Sequence, residues 1–273
     1  MAAIANTDYE GEIKNQGDTV HIRTKPTLTI NDYEATQEIS VERPSSNLVD
    51  LLIDKGKYFA AIVDDVMETQ ADMNLMGMWA DDASEQMKIA IDTMVLAGLS
   101  AGVAAENKGA TAGRIDGTID LGAAAAPVSV SATGTDTAVD KLVDLGQVLD
   151  EQNIPETGRW VVIPAWFASR IKKSELRDAS LAGDGTSMLR SGRLGMIDRF
   201  TLYSSNLLPT VPGDSATRIF AGHSHGLTFA SQMTKMETLR SESTFGTIMR
   251  GLQVFGFKVT DGTALTELYA TPA

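Results

Sequence analysis

The sequence has no cysteine, which excludes disulfides, thiolate metal sites and a cysteine nucleophile. Histidine is nearly as scarce: His21, His223 and His225 are the complete set in 273 residues, a poor supply for acid-base chemistry. No apolar run approaches the roughly 20 residues that a membrane-crossing helix needs, and no signal peptide opens the chain. The expectation is therefore a soluble product of the cytosol, or part of something assembled there. Positive charge is also short, 23 Lys and Arg against 36 Asp and Glu, for a net charge of -13 and a pI near 4.6. That balance argues against a surface built to grip nucleic acid through phosphate contacts.

What is present is an ordinary globular balance, 43% hydrophobic and 22% charged, enough for one large domain or two small ones. Its dominant element is a long amphipathic helix from about Thr69 to Gly102. Met73, Met76, Ala80, Ala83, Met87, Ile91, Met94 and Gly98 fall on one stripe at the helical period, with Asp81, Asp82, Glu85, Lys88 and Asp92 opposite. Thr69 and Asp72 resemble a capping box, and Gly98 and Gly102 mark a fraying end. At 1.5 Å per residue the helix would be about 45 Å long. Leu75, Met78, Ile89 and Leu96 lie off the stripe, which predicts a second packed surface.

Residues 1 to 9 read as a flexible arm. Period-two alternation then predicts strands around Val20 and Ile22 and around Leu28 and Ile30, interrupted by Pro26. Residues 48–53 and 57–63 read as a hairpin joined at Lys55-Gly56. Between them, about 25 to 47 are too polar on both faces for a core and suit an extended two-stranded loop. Beyond the long helix comes a Gly, Ala and Thr-rich loop. A second helix starts near Thr137 and ends before Pro155, with Val139, Leu142, Val143 and Leu149 inward. Trp160 to Ile163 is a buried strand, and Pro164 opens a helix whose inner face is Trp166, Phe167 and Ile171. A soft loop over 179–192, a strand within 195–209 and alternating strands to the C-terminus complete an α+β chain without repeats.

Chemistry is thinly supplied. His223-x-His225 places two imidazoles on one strand face without a third ligand nearby in sequence, so a turn lined by polar side chains is the better reading than a metal site. Asp64 and Asp65 are adjacent strand residues that point to opposite faces, which argues against a carboxylate pair. The glycines of AGDGTSMLRSGRLG lack phosphate-loop or dinucleotide spacing. Arg170, Lys172, Lys173 and Arg177 form a basic cluster that suits salt bridges or a subunit contact better than DNA. No catalytic, cofactor-binding or metal residue is assigned, and no enzyme activity is expected.

GRWVVIPAWFASRIKKS, GMIDRFTLYSSNLLP and HGLTFASQMTKMETLRSESTFGTIMRGLQVFGFKV, taken in that order, resemble the major capsid (coat) proteins of tailed bacteriophages. NTDYEGEIKNQGDTVHIR, DYEATQEISV and KYFAAIVDDVMETQAD are similar to the front half of the same group. The resemblance runs from about Asn6 to Ala270 and rests on the order of several weak motifs. It implies the fold shared with encapsulins and herpesvirus capsid floor domains. Residues 1–9 would be a short N-terminal arm and 10–102 a peripheral domain, with an extended loop at about 25–47 and the spine helix at about 69–102. An axial domain would occupy 103–250, and 251–273 would be a strand returning to the peripheral domain. Family members usually carry a longer arm ahead of the NTDYEGEI stretch.

Function, on that resemblance, lies in interfaces. The chain would assemble through pentamers and hexamers into an icosahedral shell in a virion, built in the host cytoplasm with a scaffolding protein and a portal. The shell would enclose double-stranded DNA without sequence-specific binding, its acidic wall repelling what it encloses. Lys14, Arg23, Lys25 and Arg43 of one subunit would meet Asp81, Asp82, Glu85 and Asp92 on a neighbour's spine helix. Lys25 also lies where some phage shells cross-link to a neighbour's asparagine. The alternative is an encapsulin-like compartment holding an enzyme cargo.

Overall fold

The structure, a computed structural model, describes residues 3–8, 19–23, 28–32, 35, 41–45, 48–71, 74–174, 195–210 and 216–273. Three sheets organise it. β1 (Thr19–Arg23) and β2 (Leu48–Leu52) pair antiparallel; β3 (Lys55–Asp64), β10 (Gly246–Val259) and β9 (Leu227–Arg240) form a three-stranded sheet in that order. The third sheet runs β4-β11-β8-β5-β7-β6, from β4 (Val128–Val130), β5 (Arg159–Ile163), β6 (Met196–Ile197), β7 (Phe200–Ser204), β8 (Thr217–His223) and β11 (Leu265–Pro272). The helices are α1 (Asp65–Gln70), α2 (Leu75–Leu99), α3 (Ala138–Glu151) and α4 (Ala165–Lys173). The mixed α+β expectation holds.

β5 lies inside the six-stranded sheet and is buried on both faces, which explains why it is apolar after Arg159. Val161 and Ile163 point into a core built with Leu142, Leu145 and Leu149 of α3 and Phe167 and Ile171 of α4. Trp160 and Val162, one residue out of phase, point into a second core with Ile91, Val95 and Leu99 of α2, Phe220 of β8 and Phe229 and Phe255 of the three-stranded sheet. Thr137 caps α3 through a full capping box with Asp140. Arg159 is buried at the start of β5, paired with Asp150 at 2.7 Å and donating to the Ile154 carbonyl at 2.6 Å, so it ties α3 to the sheet.

Several expectations are corrected. The long helix is broken: α1 ends at Gln70, and α2 starts only at Leu75, capped by the Asn74 side chain, which accepts from Gly77 N–H at 2.9 Å. Thr69 is no cap; its hydroxyl donates to the Asp65 carbonyl one turn back, and Asp72 lies outside the described residues. The buried stripe is Ile91, Val95, Leu96 and Leu99, so Leu96 faces the core, while Met78 and Ile89 stay exposed as expected. The hairpin across Lys55-Gly56 does not form, because β2 pairs with β1 and β3 pairs with β10 over Gly246↔Asp64 to Phe255↔Lys55. The stretch read as one C-terminal strand is two, and the last, β11, lies between β4 and β8 rather than returning to the sheet beside α2. Residues 3–8 are not a loose arm: Ile4 and Ala5 are buried, Asn6 N–H donates to the Leu227 carbonyl at 2.8 Å, and Phe229 N–H donates back to Asn6 at 3.0 Å.

Candidate functional site

No reaction centre forms among the residues singled out. Asp64 is spent as the N-cap of α1, accepting from Val66 N–H at 2.8 Å, and Asp65 forms a two-pronged ion pair with Arg240. Arg170 donates to the Ala273 carbonyl and so pins the last residue of the chain, while Arg177 lies outside the described residues. The histidine pair does come together, Nδ1 to Nδ1 at 2.7 Å. It gains a partner that sequence spacing could not reveal: His225 Nε2 lies 3.3 Å from the Asp261 carboxylate, 36 residues away. Among the described residues no group of three or more His, Cys, Asp or Glu has the geometry to hold a metal ion.

The surface is more informative. One face of the three-stranded sheet is turned toward α1 and α2, burying Val63 and Met249. On the other face the register aligns Tyr58 with Leu252 and Lys235, Ala60 with Arg250 and Glu237, and Ile62 with Ile248 and Leu239. Tyr58 is 80% exposed, Ile62 45% and Leu239 41%. Between these apolar residues Glu237 sits 3.0 Å from Lys235 and accepts from Arg250 Nε at 2.5 Å; the hydrogen bonds from Lys235 and then Arg250 hold its carboxyl below the usual range. No main-chain or side-chain cover lies over this face among the described residues, which form a shallow groove there.

Of the residues expected at intersubunit contacts, Asp81, Asp82 and Glu85 are exposed on the N-terminal half of α2, and Asp92 is half-buried further along. Arg23 ends β1 and Arg43 lies in the loop beyond it, both exposed. Within one chain the structure does not bring either arginine to Asp81, Asp82 or Glu85. Lys14 and Lys25, with the cross-link expectation on Lys25, lie outside the described residues. The described parts of the extended loop, 28–32 and 41–45, carry no strand, but Thr29 N–H donates to Glu42 at 3.2 Å and links its two legs. Leu28, Ile30 and Val41 on those legs are exposed, Ile30 by 90%.

The chain is a mixed sheet-and-helix fold with three buried apolar clusters and bare apolar surface on its sheet, helix and loop, the kind of surface that contacts with other chains cover. Comparison with known proteins agrees. The family model described as phage capsid protein matches residues 50–268, and the chain belongs to that family. It is accordingly a phage capsid protein, a structural component of the virion and not an enzyme. A search of curated proteins gives no match. Among solved structures, one from Mycobacterium phage Che8 is 26% identical with a TM-score of 0.74, covering 97% of this chain and 89% of that one. The capsid of cyanophage P-SCSP1u is 15% identical with a TM-score of 0.69, covering 94% and 85%. The mature capsid of bacteriophage PhiM1 is 12% identical with a TM-score of 0.68, covering 98% and 88%. The last two are similar in fold.

Proposed function

We propose that this chain is the major capsid protein of a tailed phage, assembling through pentamers and hexamers into an icosahedral shell around double-stranded DNA. The observation that carries the reading is the uncovered sheet face with Tyr58, Ile62 and Leu239, matched by exposed Leu28, Ile30 and Val41 on the extended loop. A lone subunit leaves both wet; neighbours in a closed shell would cover them. The unit holding α2 and the three-stranded sheet serves as the peripheral domain, and the six-stranded sheet with α3 and α4 as the axial domain. Lys14, Arg23, Lys25 and Arg43 of one subunit meet Asp81, Asp82, Glu85 and Asp92 of the next, setting register more than affinity. A scaffolding protein and a portal complete the assembly.

Sedimentation velocity with negative-stain imaging tests this reading. Closed particles or discrete pentamers and hexamers are expected, and removing residues 27–45 is expected to leave a folded subunit that forms none. Normal shells from that deletion would refute the role given to the loop. Particles loaded with protein cargo and free of DNA in infected cells would favour the compartment alternative.

A further inference from the structure

The chain crosses between the three-stranded and six-stranded sheets at two neighbouring joints. β8 passes into β9 through the 3-10 turn Ser224–Gly226, and β10 passes into β11 through the 3-10 turn Gly262–Ala264. Backbone bonds hold the joints side by side: Thr260 N–H donates to the Gly226 carbonyl at 2.9 Å, and the Thr260 hydroxyl donates to the His225 carbonyl at 2.8 Å. The segment that follows α2 reaches the same spot, where Ala104 N–H donates to the Gly262 carbonyl at 3.0 Å. His223, His225 and Asp261 sit at this junction, and no part of the assembly reading uses them.

Their hydrogen bonds fix the protons. His225 backbone N–H donates to His223 Nδ1 at 3.2 Å, so that nitrogen carries a lone pair. His223 Nε2 lies beside the Thr157–Gly158 segment, and a hydrogen bond to the backbone of Thr157 places the proton of a neutral ring there. His225 has an acceptor at each side, the His223 lone pair 2.7 Å from its Nδ1 and the Asp261 carboxylate 3.3 Å from its Nε2. The His225 ring thus bridges His223 on one joint and Asp261 on the other.

We propose that the His223–His225–Asp261 relay is an acid-sensitive latch on the paired joints, closed while His223 is neutral and opened when His223 takes a second proton into the relay. That proton occupies the lone pair that accepts from the His225 backbone N–H, breaking that bond and placing a charged N–H 2.7 Å from the His225 ring nitrogen. Arg159 faces His223 with a positive charge, itself paired with Asp150; Asp261 is bonded to His225 and to the Thr263 N–H and hydroxyl. Thr157 and Thr260 contribute neutral groups. Burial, and then the charge of His225, hold His223 below its ordinary 6.5. The neutral form is thus the one the fold prefers: its contribution is full above the unfolded value and is lost as pH falls through the lowered folded value. The latch belongs to the single chain and stands or falls apart from shell assembly.

The test is histidine ring-nitrogen NMR together with amide exchange over 224–226 and 260–264, on the unassembled full chain at about pH 7.5 and about pH 5. At the higher pH His223 should be the neutral Nε2–H tautomer. Protection in both turns should fall at least about tenfold at the lower pH. His223→Asn keeps an oxygen in the accepting position but cannot be charged, and should hold its protection at both. A proton on His223 Nδ1 at the higher pH, unchanged wild-type protection, or an equal fall in the variant would each overturn the latch. The wild-type ring shifts decide the relay even if the variant does not fold.

Discussion

Glu267 stands in the middle of β11 with no exposed surface, an unusual place for a carboxyl. The Ser100 hydroxyl donates to Oε2 at 2.8 Å, while Arg218 Nε stays 3.7 Å from Oε1, too far for a hydrogen bond. Burial pushes this carboxyl up, against weaker opposing effects of the Ser100 bond and then of Arg218 and Lys108. A carboxyl raised in the fold favours its protonated form there, so stability falls as pH rises from the ordinary 4.5 until the buried group ionises. Glu267→Gln keeps an acceptor for Ser100 and removes the titration. Urea unfolding near pH 8 should find the variant equal or more stable, by on the order of 1 kcal/mol. That margin should shrink as pH falls toward 4.5, the ordinary carboxyl value. A deficit that grows as pH rises above 4.5 would mean that the Ser100 bond and the Arg218 and Lys108 charges outweigh burial.

At the scale of elements, the end of α2 is shaped by what it crosses. A Cβ at Gly98 would lie 2.6 Å from the Phe257 ring, and one at Gly102 would lie 2.4 Å from Val259, both on β10. Read from sequence as a fraying signal, these glycines are points where the last turn of α2 and the turn after it closely approach the strand. Gly98→Val should cost about 1–3 kcal/mol by overpacking, seen as a lower melting temperature. Phe257→Ala in that background should recover part of it, whereas purely additive losses would show that the ring is not the obstacle. Elements carrying local signals were legible. Thr137 and Pro155 bracket α3, and the unbroken apolar run before Pro164 marks a strand buried on both faces. Pairings decided at a distance were not. Lys55-Gly56 has the composition of a hairpin turn, yet β3 aligns with β10 across most of the chain. The break before α2 rests on one Asn74 cap inside a helix-compatible run, and Asp261 joins the histidines only because two joints meet in space.

The whole molecule carries its charge unevenly across its proposed contacts. Asp81, Asp82 and Glu85 crowd the exposed N-terminal half of α2, while Arg23 and Arg43 stand on β1 and the loop that follows it and form no ion pair with those acids within one chain. Sequence order suggested this partition; the structure supplies exposure on both sides, and the meeting of the two sides is part of the assembly proposal. If subunits dock by these charges, Asp81→Lys, Asp82→Lys and Glu85→Lys together should leave helix content and melting nearly unchanged, since all three are exposed. Assembly should be lost or slowed strongly at low ionic strength, because the new lysines would face Arg23 and Arg43 of the neighbour. Salt near 1 M, where the screening length falls to about 3 Å, should narrow the difference between variant and wild type. Reversing Arg23 and Arg43 to Glu in the same chain should restore particles in sedimentation. Restoration without those second changes, or wild-type assembly of the triple variant at low salt, would place the contact elsewhere. The uncovered apolar face around Tyr58 and Ile62 would then be the surface on which to seek it.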